Sequence, residues 1–449
     1  MILASNCIRN LKLLAQLTET YCKHHRVTLV PRKTKLLVMY PRGQLAKVEY
    51  AELINQVKIE GMQVPFTDEA EHVGVLRNRS GNMPHILKRI TAHKKAMAAI
   101  CSAGIAKGHR GSPSSALRLQ ELYGTSVLLS GVASLVLSRK DIEVLENHYS
   151  HTIEALQKLH SNTPRAMVYL LAGTLPIEGL IHSRQLSLFS MICRLKSDIL
   201  HQHAKYVLTA LDKSCNSWFF VILELCRKYN LPHPLSLLES DLNKESFKNL
   251  VKRNVRRYWT KKLEDETSDL KSLRFFHSSC CLIGRPHLIW EFSKHHPFET
   301  TKAIIVAKMM SGRYRTDKLR GHWTLNKEGN CLAPTCTDVE GDLPHMFVSC
   351  PAIRSVKDRI LSSWYHKSAM CPPLVSFLTT VETCTPDEFV QFIVNPTLFP
   401  EVGRLYQLYG LGLLAHIFHL NRTYAFHVDR FNRQLRSQPR NTGMLVPFR

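Results

Sequence analysis

The recurrence of apolar positions along the chain divides it into a short start of mixed character and a long helical remainder. In SNCIRNLKLLAQLTETYCKHH, residues Ile8, Leu11, Ala15, Thr18 and Cys22 return at three- and four-residue intervals, which predicts an amphipathic helix capped by Ser5 or Asn6. The stretch that follows, VTLVPRKTKLLVMYP, is rich in β-formers with a polar centre. It predicts a strand near 27–30, a turn at Pro31–Lys33 and a second strand near 35–40. EHVGVLRN adds an expected strand near 72–76.

After Asn82 and Pro84 the period becomes helical. Ile86, Ile90, Met97 and Ile100 share one face, and Ser138 with Asp141 three residues on is a capping box that opens a helix aligning Ile142, Leu145, Tyr149, Ile153 and Leu156. GHRGSPSS (108–115), SNTPRA and AGTLP (161–176) carry turn chemistry but are too short to be linkers, whereas PHPLSLLESD (232–241) reads as a domain break. In KESFKNLVKRNVRRYWTKKL, Phe247, Leu250, Val251, Tyr258 and Trp259 lie on one face and Lys248, Lys252 and Arg256 on another. A last helix is expected over about 402–434, followed by Arg436 and Arg440. The predicted fold class is therefore mainly α with a small α+β part at the N-terminus.

Charge narrows the partner. The chain has 449 residues with 60 Lys and Arg against 36 Asp and Glu, a formal charge of +24. That balance favours a polyanion such as nucleic acid over a small-molecule substrate. Residues 244–262 concentrate it, with Glu245 the one acidic side chain among eight basic ones. No run approaches the ~20 apolar residues of a membrane span, and Asn6, Arg9, Asn10 and Lys12 break up the first 17 residues, unlike a secretory signal. The expectation is an intracellular protein, nuclear or cytoplasmic, that neither enters a membrane nor is secreted. Its 13 cysteines, an odd number spread over a long chain, read as reduced thiols and metal ligands rather than a disulfide framework.

One segment gathers those cysteines. CLAPTCTDVEGDLPHMFVSC places Cys331, Cys336, His345 and Cys350 in a C-x4-C-x8-H-x4-C spacing, with Gly341 and Pro344 able to turn the connector. Three thiolates and one imidazole would close a tetrahedral Zn²⁺ shell with no open position, a structural rather than catalytic metal. Just upstream, AKMMSGRYRTDKLRGHW interleaves Lys308, Arg313, Arg315, Lys318 and Arg320 with Tyr314, His322 and Trp323, a candidate nucleic-acid-binding surface. The paired histidines at His24–His25 and His295–His296 lack a carboxylate or nucleophile at a mechanistic spacing and suggest no other enzyme.

The run SGRYRTDKLRGHW…GNCLAPTC…DLPHMFVSCP resembles the C-terminal cysteine-rich region of reverse transcriptases from LINE-type non-LTR retrotransposons. ASNCIRNLKLLAQLTETYCKHHRVTLVPRKTKLLVMY is similar to the last palm helix and Lys-containing strand of those enzymes, and EHVGVLRNRSGNMPHILKRI to their primer grip and the opening of the thumb. The resemblance implies that Lys33 and Lys35 lie near an incoming nucleotide and that Val73–Gly74 is the primer grip, although His72–Val73 stands where the family has Tyr-Leu. It implies a palm remnant over 1–80, a helical thumb and connector over 81–235, a basic helical linker over 236–300, a zinc-knuckle module over 301–360 and a helical tail over 361–449. The implied partner is RNA or an RNA–DNA hybrid, with DNA as a further candidate.

In that family, polymerisation needs carboxylates holding Mg²⁺. Their Asp-Asp pair would fall immediately before Met1, and no adjacent aspartates occur in the chain. The isolated chain, read as a fragment of an RNA-directed DNA polymerase, is therefore expected to bind nucleic acid without extending a primer. Two rival expectations are a co-opted RNA- or DNA-binding protein and a protein-interaction scaffold closed by zinc.

Overall fold

The computed structural model describes residue 3 and residues 8–30, 33–37, 57–102, 111–196, 198–210, 217–294, 297–321 and 329–437. Among these residues the chain is mainly helical, with two small antiparallel two-stranded sheets near its start, in agreement with the expected fold class.

The first helix, Ile8–His24, turns Ala15 and Cys22 inward. Its expected caps, Ser5 and Asn6, lie outside the described residues. Ala15 packs with Val57, Ile59 and Val64 in a small core of its own, supported by Leu11, Leu29 and Leu36. The expected strand at 27–30 does not form, and of the expected 35–40 strand only Leu36 pairs, in an isolated parallel bridge to Phe66. A β-rich sequence becomes a strand only where a neighbour supplies a ladder, and here the contact is one residue long. Residues 31–32 and 38–40 of that prediction lie outside the described residues.

The strand expected near 72–76 is instead a hairpin. Glu69–His72 pairs with Val75–Asn78, His72 opposite Val75, and Val73 and Gly74 form the turn with φ of +48° and +75°. Of the two tight turns that match the right-handed twist of the strands, this is the type with positive φ at both central positions. The pattern of alternating side chains does not reveal where that turn falls.

Helical periodicity served better. Helix Met83–Ser102 buries Ile86, Ile90 and Met97, and helix Arg139–Leu156 buries Leu145, Tyr149, Ile153 and Leu156. The capping box is present: Asp141 N–H donates to Ser138 Oγ at 3.2 Å and Ser138 N–H to Asp141 Oδ2 at 2.9 Å. The break expected at 232–241 is a helix, Pro234–Glu239, with Leu237 and Leu238 buried. Proline suits the first helical turn, so the PHPLSLLE signal starts an element instead of separating two. One hydrophobic core runs from Ile86 to Val428 and includes this helix.

The last helix, Pro400–Ser437, is broken at Gly410, whose φ of +73° and ψ of −165° are not helical. Its second half packs along helix Pro297–Met310 and reaches the cysteine-rich segment. No single described helix is long and apolar enough to cross a membrane.

Candidate metal centre

The four sequence-predicted ligands converge. One donor atom from each of Cys331, Cys336, His345 and Cys350 lies within 4.8 Å of the others, and among the described residues this group alone could hold a metal ion in this way. Cys350 Sγ stands 3.9 Å from Cys331 Sγ and 3.7 Å from Cys336 Sγ, and Cys336 Sγ is 3.5 Å from His345 Nε2.

Two short devices produce this geometry. In the first, Cys331 N–H donates to Val339 O at 2.7 Å beside a bridge between Asn330 and Glu340, and Cys336 N–H donates to Ala333 O at 3.0 Å. This folds the segment 330–340 back on itself with both thiols on its inner side. Gly341 closes the fold, because a Cβ there would meet Asp317 Cβ at 2.5 Å and Cys331 Cα at 3.2 Å.

In the second, His345–Ser349 is a single π-helical turn closed by Cys350 N–H donating to His345 O at 2.8 Å. Residues five apart stand about 140° apart around a regular α-helix at 100° per residue. An i to i+5 hydrogen bond widens the turn and returns position 350 to the side of position 345. Asp342 starts the turn by accepting His345 N–H at 2.9 Å.

Cys331, His345 and Cys350 are buried and Cys336 is half-buried. The hydrogen bond between Cys331 and Cys350 holds the Cys331 thiol well below the usual thiol range, while Cys350 is pushed up by the same hydrogen bond and by burial. Burial also raises Cys336. Metal binding would require these thiols to be deprotonated, the chemistry expected of a closed thiolate and imidazole shell.

The surroundings of the centre were not legible in the sequence. Asp317 is nearly fully buried, accepts Leu332 N–H at 3.1 Å, and takes two hydrogen bonds of 2.6 Å from Arg436, 119 residues away. Tyr424 Oη donates to Phe347 O at 2.5 Å and Asn432 Nδ2 to Met346 O at 3.0 Å. Asp342 alone had a local signal, an Asp three residues before His345 at a helix start.

The residues expected to touch nucleic acid are spread over three places. Lys33 and Lys35 are exposed in the N-terminal part, and Val73–Gly74 forms the hairpin tip, with Val73 87% exposed. On helix Lys244–Ser268, Lys252 is exposed, Lys248 is 3.7 Å from Glu245, and the half-buried Arg256 lies against Gly284. Near the metal centre, Arg313 Nε donates to Asn162 O at 3.0 Å, Lys318 pairs with Glu340 at 2.5 Å, and Arg315 is exposed. The Arg320 side chain and Trp323 lie outside the described residues. Sequence reasoning passed over Arg253, Arg257 and Lys261, which are exposed on the same helix and, like Lys252, have no acidic partner among the described residues.

Comparison with known protein families, with curated proteins and with solved structures finds no match.

Proposed function

We propose that this chain is the nucleic-acid-binding C-terminal portion of a LINE-type retrotransposon RNA-directed DNA polymerase, with RNA or an RNA–DNA hybrid as its ligand and zinc as its structural metal. The observation that carries the binding role is the placement of charge on helix Lys244–Ser268.

Phe247, Val251, Val255, Trp259 and Leu263 anchor that helix in the core, while Arg253, Arg257 and Lys261 form an i, i+4 row exposed on the other side. With Lys244 and Lys252 the exposed cations extend over roughly 25 Å at 1.5 Å per residue. Apart from Glu245, the charged residues over the first three quarters of the helix are basic, and Glu264, Asp265 and Glu266 occupy its end. The acidic side chains at its C-terminal end are the reverse of what the helix dipole favours, although Glu245 in the first turn accords with it. Helix stability therefore does not explain the arrangement, whereas a row of phosphates does. Trp259 is 3% exposed, so it belongs to the core and is no stacking platform for bases.

Zinc is supported by the separations. Bonds of about 2.3 Å to sulfur and about 2.0–2.1 Å to imidazole in a tetrahedron give edges of roughly 3.8 Å between sulfurs and 3.5 Å between sulfur and nitrogen. The sulfur pairs at 3.7 and 3.9 Å and the sulfur–nitrogen pair at 3.5 Å fall on those edges.

Fluorescence polarisation of the full chain with RNA, hybrid and DNA oligonucleotides, each across a salt series, tests the binding role. Affinity for duplex DNA should fall with a log–log slope of about −0.9 per phosphate neutralised. Replacing Arg253, Arg257 and Lys261 together by Ala should flatten that slope by about 3. Absence of binding to all three ligands, or binding indifferent to salt, would refute the proposal. Metal analysis should find about one zinc per chain, lost in Cys336→Ser and His345→Ala.

A further inference from the structure

A zinc knuckle that contacts nucleic acid would be expected to present its loops to solvent. Here the second half of the ligand loop faces inward, while Pro334, Thr335 and residues 337–340 of the first half are exposed. Leu343, Met346 and Phe347 are buried along with three of the four ligands, and the carbonyls beside the ligands are already taken by side chains of helix Pro400–Ser437. Tyr424 satisfies Phe347 O and Asn432 satisfies Met346 O, both within the π turn that sets His345 against Cys350.

Arg436 makes the third attachment. Its guanidinium is held by both carboxylate oxygens of Asp317 at 2.6 Å, and its Nη1 also donates to Asn432 O at 2.8 Å. Asp317 in turn receives Leu332 N–H, the amide next to Cys331, and donates its own N–H to Met346 Sδ at 3.3 Å. Asp317 thus ties both halves of the ligand loop, one through its carboxylate and the other through its backbone N–H, to Arg436 at the end of a helix 119 residues away in sequence. Positions 424, 428, 432 and 436 repeat at i+4, so this is one face of that helix, with Val428 fully buried between the polar contacts. Tyr314 Oη adds a hydrogen bond of 2.7 Å to Asp429.

We infer that the metal centre is an intramolecular clasp: zinc fixes the loop whose carbonyls and Asp317 hold residues 424–436 of the C-terminal helix, and that helix in turn holds the loop in its metal-binding shape. The inference rests on the zinc reading above and goes beyond it, because it assigns Asp317, Arg436, Asn432 and Tyr424 as positioning residues for the metal. It gives the centre a partner within the chain. Coupling of this kind is reciprocal: whatever zinc contributes to docking the helix, the docked helix contributes equally to zinc affinity.

Both directions can be measured on the full chain. Hydrogen exchange should show the amides of 428–437 exchanging at least tenfold faster after zinc is removed with a chelator, with helices Met83–Ser102 and Arg139–Leu156 unchanged. In the other direction, the double variant Tyr424→Phe, Asn432→Ala removes two hydrogen bonds and no charge. It should still bind zinc, with affinity reduced about tenfold in competition against a chromophoric chelator. Arg436→Gln should weaken zinc further, while Arg430→Met, an exposed charge on the same helix, should leave it unchanged and so excludes a general electrostatic effect. The clasp is overturned if exchange of 428–437 does not respond to zinc, or if the double variant keeps wild-type zinc affinity. A wild-type chain that takes up no zinc overturns the zinc reading itself and the clasp with it. A chain that holds zinc at full affinity while residues 428–437 lose protection overturns the clasp and leaves the zinc reading standing.

Discussion

Val73 stands at a hairpin tip with φ of +48° and 87% of its surface exposed, so no packing offsets a left-handed backbone on a β-branched residue. The conformation costs about 1–2 kcal/mol for such a residue, and asparagine tolerates it better. Val73→Asn should therefore raise stability by about 1 kcal/mol in urea unfolding, and an equal or lower midpoint would contradict the strain argument. If the same variant weakens binding to an RNA–DNA hybrid, the strained residue serves the primer-grip role that the resemblance assigns to it. The four candidate metal ligands differ in this respect. Their types and spacing were enough to find them, since thiolate and imidazole donors within twenty residues have few other uses.

Between elements, the attachment of helix Pro297–Met310 to helix Pro400–Ser437 depends on a buried charge cluster. Glu299 Oε2 lies 3.0 Å from Arg422 Nη2 and 3.2 Å from His419 Nδ1, and Glu299 Oε1 lies 2.7 Å from Lys302 Nζ. Burial alone would raise the Glu299 carboxyl, but the hydrogen bonds from His419 and Lys302 and the charge of Arg422 override it and hold the group well below the usual carboxylate range. A depressed folded-state pKa contributes stability above the unfolded value near 4.5, and that stability is lost as pH falls from there toward the folded value. Glu299→Gln should cost about 3–5 kcal/mol at pH 7, because Arg422 is left buried without its counter-charge. The difference between variant and wild type should narrow below about pH 4.5. A gap that stays constant from pH 7 to pH 3 would show that Glu299 does not act through its charge.

At the scale of the whole molecule, two cores of unequal size coexist. Ala15, Val57, Ile59 and Val64 make a cluster separate from the one that runs from Ile86 to Val428. A cluster of four buried side chains can supply little of the stability that the large core does. Limited proteolysis should therefore cut before about residue 68 first and leave a product that retains zinc. Early cleavage within helix Arg139–Leu156, or loss of zinc with the first cut, would contradict this division. Nucleic-acid affinity lost with that first product would place the main contacts in the N-terminal part, whereas retained affinity would favour helix Lys244–Ser268.

The sequence by itself determined the helical class, the capping box at Ser138, the core faces of the long helices and the four residues of the Cys/His cluster that could hold a metal ion. Each of these is encoded by residues within about twenty positions of one another, where spacing alone sets which side chains share a face. It did not place the strands, because a strand exists only through its neighbour, and so the expected strand at 27–30 is absent and the one near 72–76 turns back at Val73–Gly74. Nor did it separate the cations that have acidic partners, such as Lys318 beside Glu340, from those without, such as Arg257. Only the tertiary structure decided what surrounds the metal centre. The Asp317–Arg436 pair spans 119 residues and has no periodicity or motif to announce it; it exists because the core brings the end of the last helix against the ligand loop.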